Sequence, residues 1–104
     1  MDSAEWVIFA PGARRRILID GDKLMLIQAD LDKGAIVAEH NHPHEQITYV
    51  VKGRVEFTVS GKKSILEQGQ AIHLPSNALH EVVAIEASIV VDSFSPPRED
   101  FRSK

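Results

Sequence analysis

Three imidazoles, a carboxylate and an amide fall within seven residues of this chain, at His40, His42, His44, Glu45 and Gln46. The pattern around them is Gly34-x5-His40-x-His42-x3-Gln46-x6-Gly53. A β-strand sends successive side chains to opposite faces, so the spacing predicts that His40 and His42 project to the same side. Neutral imidazole is the commonest metal ligand, and two on one rigid strand offer adjacent coordination positions with little ordering cost. An amide or carboxylate four residues beyond the second histidine, across a turn, completes a three-ligand face. A histidine from a neighbouring strand then supplies a fourth position.

The chain has 104 residues, a formal net charge of -3 and no cysteine. That length holds one core and too little for a second. The absence of cysteine removes disulfides, thiolate catalysis and sulfur-ligated zinc, so any metal sits on nitrogen and oxygen. The charge lacks the basic footprint of a nucleic-acid binder. Arg14-Arg15-Arg16 is the exception, and its spacing reads as a solvated turn or strand edge. The start of the chain has neither the form of a signal peptide nor that of a membrane span, and a cytoplasmic location is the default expectation.

The elements that must position the histidines read as short strands separated by turn signals. Trp6 to Phe9, stopped by Pro11-Gly12, and Arg16 to Asp20 are candidate edge strands. The first is apolar enough to predict pairing with a second copy, hence a homodimer. Lys23 to Leu31 carries Leu24, Leu26 and Gln28 on one face and Met25, Ile27, Ala29 and Leu31 on the other, which predicts burial on both sides. Ala35 to Glu39 leads into the histidines. Ile47 to Lys52 and Arg54 to Ser60 flank Gly53 and read as a hairpin. Further strands are expected at Ser64 to Glu67, Ala71 to Leu74, His80 to Ile85 and Ala87 to Phe94, with a helical turn near Arg98 to Phe101. The expected fold is all-β, a double-sheet jelly-roll barrel in one domain over residues 1–104, with N-terminal strands at 4–20, a barrel core at 23–94 and a tail at 95–104.

The Gly34 to Gly53 stretch resembles the first motif of the cupins. The second follows as Gly69-x5-Pro75-x-Asn77-x2-His80, with Asn77 where glycine is usual and Ala84 where asparagine often stands. Within that superfamily, His-Pro-His-Glu-Gln at 42 to 46 and the tail Ser95-Pro96-Pro97-Arg98-Glu99-Asp100-Phe101 resemble the pectin-degradation cupins of the KdgF type. The resemblance covers roughly Leu24 to Phe101. It implies ketonisation of 4,5-unsaturated monouronates to linear keto sugars, in catabolism of sugar acids from pectin or alginate. It maps His40, His42, Gln46 and His80 onto one divalent ion. It also implies Asp92 and Arg98 as the catalytic residues, Asp92 as the acid/base, with Phe94 and Arg98 as substrate contacts, Arg98 gripping a carboxylate with two parallel hydrogen bonds.

Several positions stay open at this level. Glu45 should point away from Gln46 and is the rival ligand if the register shifts. His44 reads as a supporting group rather than a ligand, and His73 as either pocket or surface. Spacing alone puts Asp92 on the surface, against the resemblance. Gln28 and Tyr49 are polar groups on buried-looking strands, candidates for the pocket wall. With Gln46 in place of the usual carboxylate the ligand set is neutral, so the ion keeps its full charge and favours a small anionic substrate. An all-N/O site accepts nickel, iron, manganese, zinc or cobalt. Two rival functions fit the same residues: a metal-dependent oxygenase or lyase on another small anion, and a non-catalytic sugar or carboxylate binder.

Overall fold

Alternating apolar residues become ten strands and one short helix in the computed structural model, which describes residues 5–102. In chain order the strands are β1 (Val7–Ala10), β2 (Ala13–Asp20), β3 (Met25–Leu31), β4 (Ile36–His40), β5 (Glu45–Lys52), β6 (Arg54–Val59), β7 (Lys62–Glu67), β8 (Ala71–Leu74), β9 (His80–Ala84) and β10 (Ser88–Ser95). The helix α1 spans Glu99–Arg102. Six strands form one sheet in the order β1-β2-β3-β10-β5-β8, and four form the other in the order β4-β9-β6-β7. All their pairings are antiparallel. This is the expected all-β, double-sheet jelly roll.

The inner faces meet in a core to which both sheets contribute: Ala29, Leu31, Val50, Leu74 and Val90 from the larger, Val55, Phe57 and Ala84 from the smaller. A second cluster of Met25, Ile27 and Phe94 is covered by Ile17 and by Phe101 of α1. Burying an aromatic or large aliphatic side chain of this kind contributes about 1.5–3 kcal/mol each. The helix is tied down at its end, where Arg102 donates to both carboxylate oxygens of Asp20 at 2.6 and 2.8 Å.

Three expectations are corrected by the structure. The strands on either side of Gly53 are not a hairpin, because β5 belongs to the larger sheet and β6 to the smaller. Gly53 is the corner between sheets: its φ is 95°, and a Cβ there would collide with Ser88 Oγ and the Ala87 carbonyl. A true hairpin joins β6 and β7 through Ser60 (φ 49°) and Gly61 (φ 84°). β3 is buried on one face only, since Met25, Ile27, Ala29 and Leu31 are buried while Leu26, Gln28 and Asp30 are partly exposed. The arginine triplet is neither turn nor bare surface; it lies within β2 and its members alternate faces. Arg16 to Asp20 does form an edge, being the half of β2 beyond the pairing with β1, which runs from Ala13 to Arg15.

β1 does form the sheet edge, but little of the Trp6 to Phe9 run is bare. Arg14 and Arg16 lie over the Trp6 ring at 4.2 and 4.8 Å, and Phe9 packs against the core. Ile8 alone stands far out, at 80% exposure.

Candidate metal centre

His40 is the last residue of β4 and sits directly opposite His80, the first residue of β9. The antiparallel register brings their rings to 4.3 Å between centroids. His42 lies beyond the end of β4, so strand alternation is not what aims it, contrary to the expected common strand face. A turn does the aiming: Asn77 donates its backbone N–H to the His42 carbonyl at 2.8 Å. Asn77 holds this turn at φ 66°, a left-handed conformation that asparagine tolerates better than most side chains, which accounts for asparagine where glycine is usual.

One ring nitrogen from each of His40, His42 and His80 lies within 4.8 Å of those of the other two. Their tautomers are set alike. Nδ1 of His40 faces the Ala38 carbonyl at 2.8 Å, that of His42 the His44 carbonyl at 3.0 Å, and that of His80 the Ala78 carbonyl at 2.9 Å. With Nδ1–H donating to a carbonyl, Nε2 carries the lone pair of each ring. Burial, then the charge of Arg98 and of His80, pushes the His42 pKa down to about 4. Burial likewise lowers that of His80. Both rings are therefore neutral near pH 7, the form that binds a cation.

Gln46 supplies the fourth group. Its Oε1 lies 3.0 Å from His42 Nε2. Two acceptors at that distance have no proton between them when Nδ1 of His42 carries the ring hydrogen, a pairing that suits a cation rather than a hydrogen bond. The Gln46 amide is held in this orientation from behind: its Nε2 donates to Thr48 Oγ1 at 3.0 Å, and Thr48 donates to Asp92 Oδ1 at 2.7 Å. These residues fit a divalent ion on three imidazoles and an amide oxygen, an N/O set without cysteine.

A cavity of about 550 Å³ opens beside this cluster, within the usual range of small-molecule sites. Its walls include His40, Gln46, His80, Thr48, Asp92, Phe94, Arg98, Phe101 and Arg15, over an apolar floor from both sheets. Asp92 thus faces the interior between Val90 and Phe94, not the surface that its spacing suggested. Burial lifts its carboxyl to about 6, against the opposing pull of Thr48, Gln46 and Arg98. Arg98 lies over the Phe94 and Phe101 rings at 4.9 and 4.2 Å. Its Nε and Nη2 bind the two oxygens of Asp100 at 3.1 and 2.9 Å. That edge of the Arg98 fork is thus already occupied.

Two expected wall residues are absent from the cavity. Gln28 is on the outer face of β3, where it binds Arg16 and Asp30, and Tyr49 is on the outer face of β5 at 47% exposure. Both err for one reason: the larger sheet has a solvent face, and these residues share its parity. Glu45 also points outward and lies 2.6 Å from His73, which is exposed. His44 packs edge-on against His42 and Phe94, with its Nδ1 buried and without a hydrogen-bond partner. Thr48 and Arg15 were not singled out by sequence reasoning. Thr48 shares the inward parity of Gln46 and Val50, and Arg15 that of Ala13 and Ile17.

Comparison with known proteins matches residues 28–91 to the cupin domain. The chain belongs to the cupin family. Among its relatives, this cupin is 39% identical over 102 residues to the pectin degradation protein KdgF of Dickeya dadantii (strain 3937), covering 96% of the chain and 93% of that protein. Its fold superposes on the structure of KdgF from Halomonas sp. with a TM-score of 0.87 at 39% identity, over 92% of this chain and 89% of that one. An RmlC-like cupin from Shewanella frigidimarina gives 0.89 at 35% identity, over 94% and 88%. Among the described residues of the cupin, no helix is long and apolar enough to cross a membrane.

Proposed function

We propose that this cupin converts 4,5-unsaturated monouronates, the sugar acids released by pectin and alginate lyases, to linear keto sugars. The observation that carries the reading is the line of contacts from Asp92 to His42: Thr48 is hydrogen-bonded to Asp92 and to Gln46, and Gln46 Oε1 lies against His42 Nε2. It sets a carboxyl group with a pKa of about 6 beside the metal-binding cluster, inside one cavity. The similarity to the pectin degradation protein KdgF supports the substrate class.

His40, His42, His80 and Gln46 would hold a divalent ion, which when bound would supply a Lewis acid for negative charge on a substrate oxygen. Opening of the sugar at its hemiacetal leaves an enol across C4 and C5. Asp92 delivers a proton to C4 while the C5 hydroxyl loses one, so that C4=C5–OH becomes CH2–C=O with no net change in atoms or electrons. A carboxyl group with a pKa near 6 is present in both protonation states at neutral pH, as proton transfer in both directions requires. Phe94 forms the adjoining wall, and Arg98 adds positive charge beside it.

The test is the loss of ultraviolet absorbance of a 4,5-unsaturated monouronate with metal-loaded protein, beside a His40→Ala control. The starting material absorbs and the keto product does not. Faster loss with the native protein alone supports the reading. A rate equal to the control overturns it, and directs attention to iron-dependent oxygen uptake or to ligand binding without turnover. A homodimer and a cytoplasmic location complete the proposal; a monomeric mass by light scattering at micromolar concentration refutes the former.

A further inference from the structure

Each arginine among the described residues but one has an oxygen partner. Arg14 binds Asp30, Arg16 binds Gln28, Arg54 binds Glu86, Arg98 binds Asp100, and Arg102 binds Asp20 and Glu99. Arg15 has none. It is also the arginine of β2 that points inward, sharing the parity of Ala13 and Ile17, and it lines the cavity beside the metal cluster.

Its guanidinium is held by aromatic faces. The Phe101 ring lies at 3.9 Å and the Phe9 ring at 5.4 Å. Such contacts fix the plane of the group without using any of its N–H donors. Asp100 is the acid that attracts it, but both oxygens of Asp100 are taken by Arg98. The other acids on the cavity wall do not serve either: Asp92 is bound to Thr48, and Glu39 is exposed. Burial and the neighbouring Arg98 both disfavour the charge on Arg15. A guanidinium cannot relieve that cost by losing its proton. A half-buried, oriented and unpaired cation in a ligand cavity calls for an anion from outside the chain.

We infer that Arg15 receives the carboxylate of the substrate, an inference that rests on the uronate reading given above. Its free N–H fork matches a planar carboxylate with two parallel hydrogen bonds. Arg98, its Nε–Nη2 edge closed by Asp100, reinforces the positive field. The arrangement selects sugar acids over neutral sugars, because a neutral sugar leaves Arg15 unpaired in the half-buried site.

The experiment measures calorimetric binding of D-galacturonate, a saturated uronate that cannot react, and of D-galactose, its neutral counterpart, to the metal-loaded protein. Arg15→Met, which preserves the aliphatic stem, is expected to weaken galacturonate binding by about ten- to a hundredfold and to leave galactose unaffected. Arg15→Lys keeps the charge but loses the fork, and an intermediate loss is expected; if the methionine variant does not fold, this variant decides alone. Unchanged galacturonate affinity in the folded variant overturns the inference, while ketonisation by the native protein still stands. Native protein that neither binds galacturonate nor consumes unsaturated uronate overturns both.

Discussion

Thr48 stands between Asp92 and Gln46, its Oγ1 donating to Asp92 Oδ1 at 2.7 Å and accepting from Gln46 Nε2 at 3.0 Å. A hydroxyl whose proton goes to a carboxylate has only lone pairs left for its other neighbour. The Gln46 amide must therefore present N–H to Thr48 and its carbonyl oxygen to His42. Thr48→Val removes the hydroxyl at nearly constant volume and frees the amide to rotate. Metal affinity, measured by competition with a chelator, is expected to drop about ten- to a hundredfold, the usual effect of losing a group that orients a ligand. Thr48→Ser should restore most of it. Native affinity in the valine variant would show that the amide is oriented by something else.

Asp92→Asn keeps the shape of the side chain and an oxygen for Thr48 to donate to. The variant is expected to retain fold and metal while losing about 10²- to 10⁴-fold in uronate turnover, the range for a general acid/base. Metal content and circular dichroism check the first part and the absorbance assay the second. Normal turnover would remove Asp92 from the mechanism.

The same substitution has a pH signature in metal-stripped protein. The carboxyl of Asp92 is raised from 3.8 to about 6 in the fold. Between those values the folded state binds more protons than the unfolded one, so stability falls as pH rises through that window. The neutral asparagine does not feel this. Asp92→Asn should therefore gain on the native protein from pH 4 to pH 7, by at most about 3 kcal/mol. The lowered pKa of His42 acts with opposite sign over nearly the same range, but it is common to both proteins and largely drops out of the difference. Urea denaturation at several pH values measures it. A difference independent of pH would mean that Asp92 ionises as it does in water.

Metal removal gives the fourth expectation. Dialysis against a chelator should abolish uronate conversion and lower the melting temperature, and a divalent ion should restore both, because an ion that binds only the folded state stabilises it by mass action. His80→Ala, which takes a buried imidazole from the cluster, should show no thermal response to the ion. A native protein equally stable and active in the presence of chelator would exclude a metal role.

Much of this was legible in residue order because it depends on short-range chemistry. Turn signals and period-two alternation located the strands, and two spaced motifs identified His40, His42, Gln46 and His80, which the structure brings together. The misreadings share a cause. Alternation states that two faces differ but not which face meets the second sheet, so Gln28 and Tyr49 were assigned inward and Asp92, on spacing alone, outward. Gly53 looked like a hairpin turn because local sequence does not reveal that the strands on either side join different sheets. Arg14-Arg15-Arg16 read as one charged block, and that reading concealed the parity that sends Arg15 alone into the cavity.

The carbonyls that set the three imidazole protons belong to Ala38, His44 and Ala78. They are backbone groups, so the side chains at those positions take no part in setting them. A library varied at residues 38 and 78, with glycine and proline left out and His44 kept because its ring packs against His42, should thus yield many variants whose imidazoles stay in register. Such a centre can have its surroundings redesigned for other substrates while the coordination chemistry stays the same.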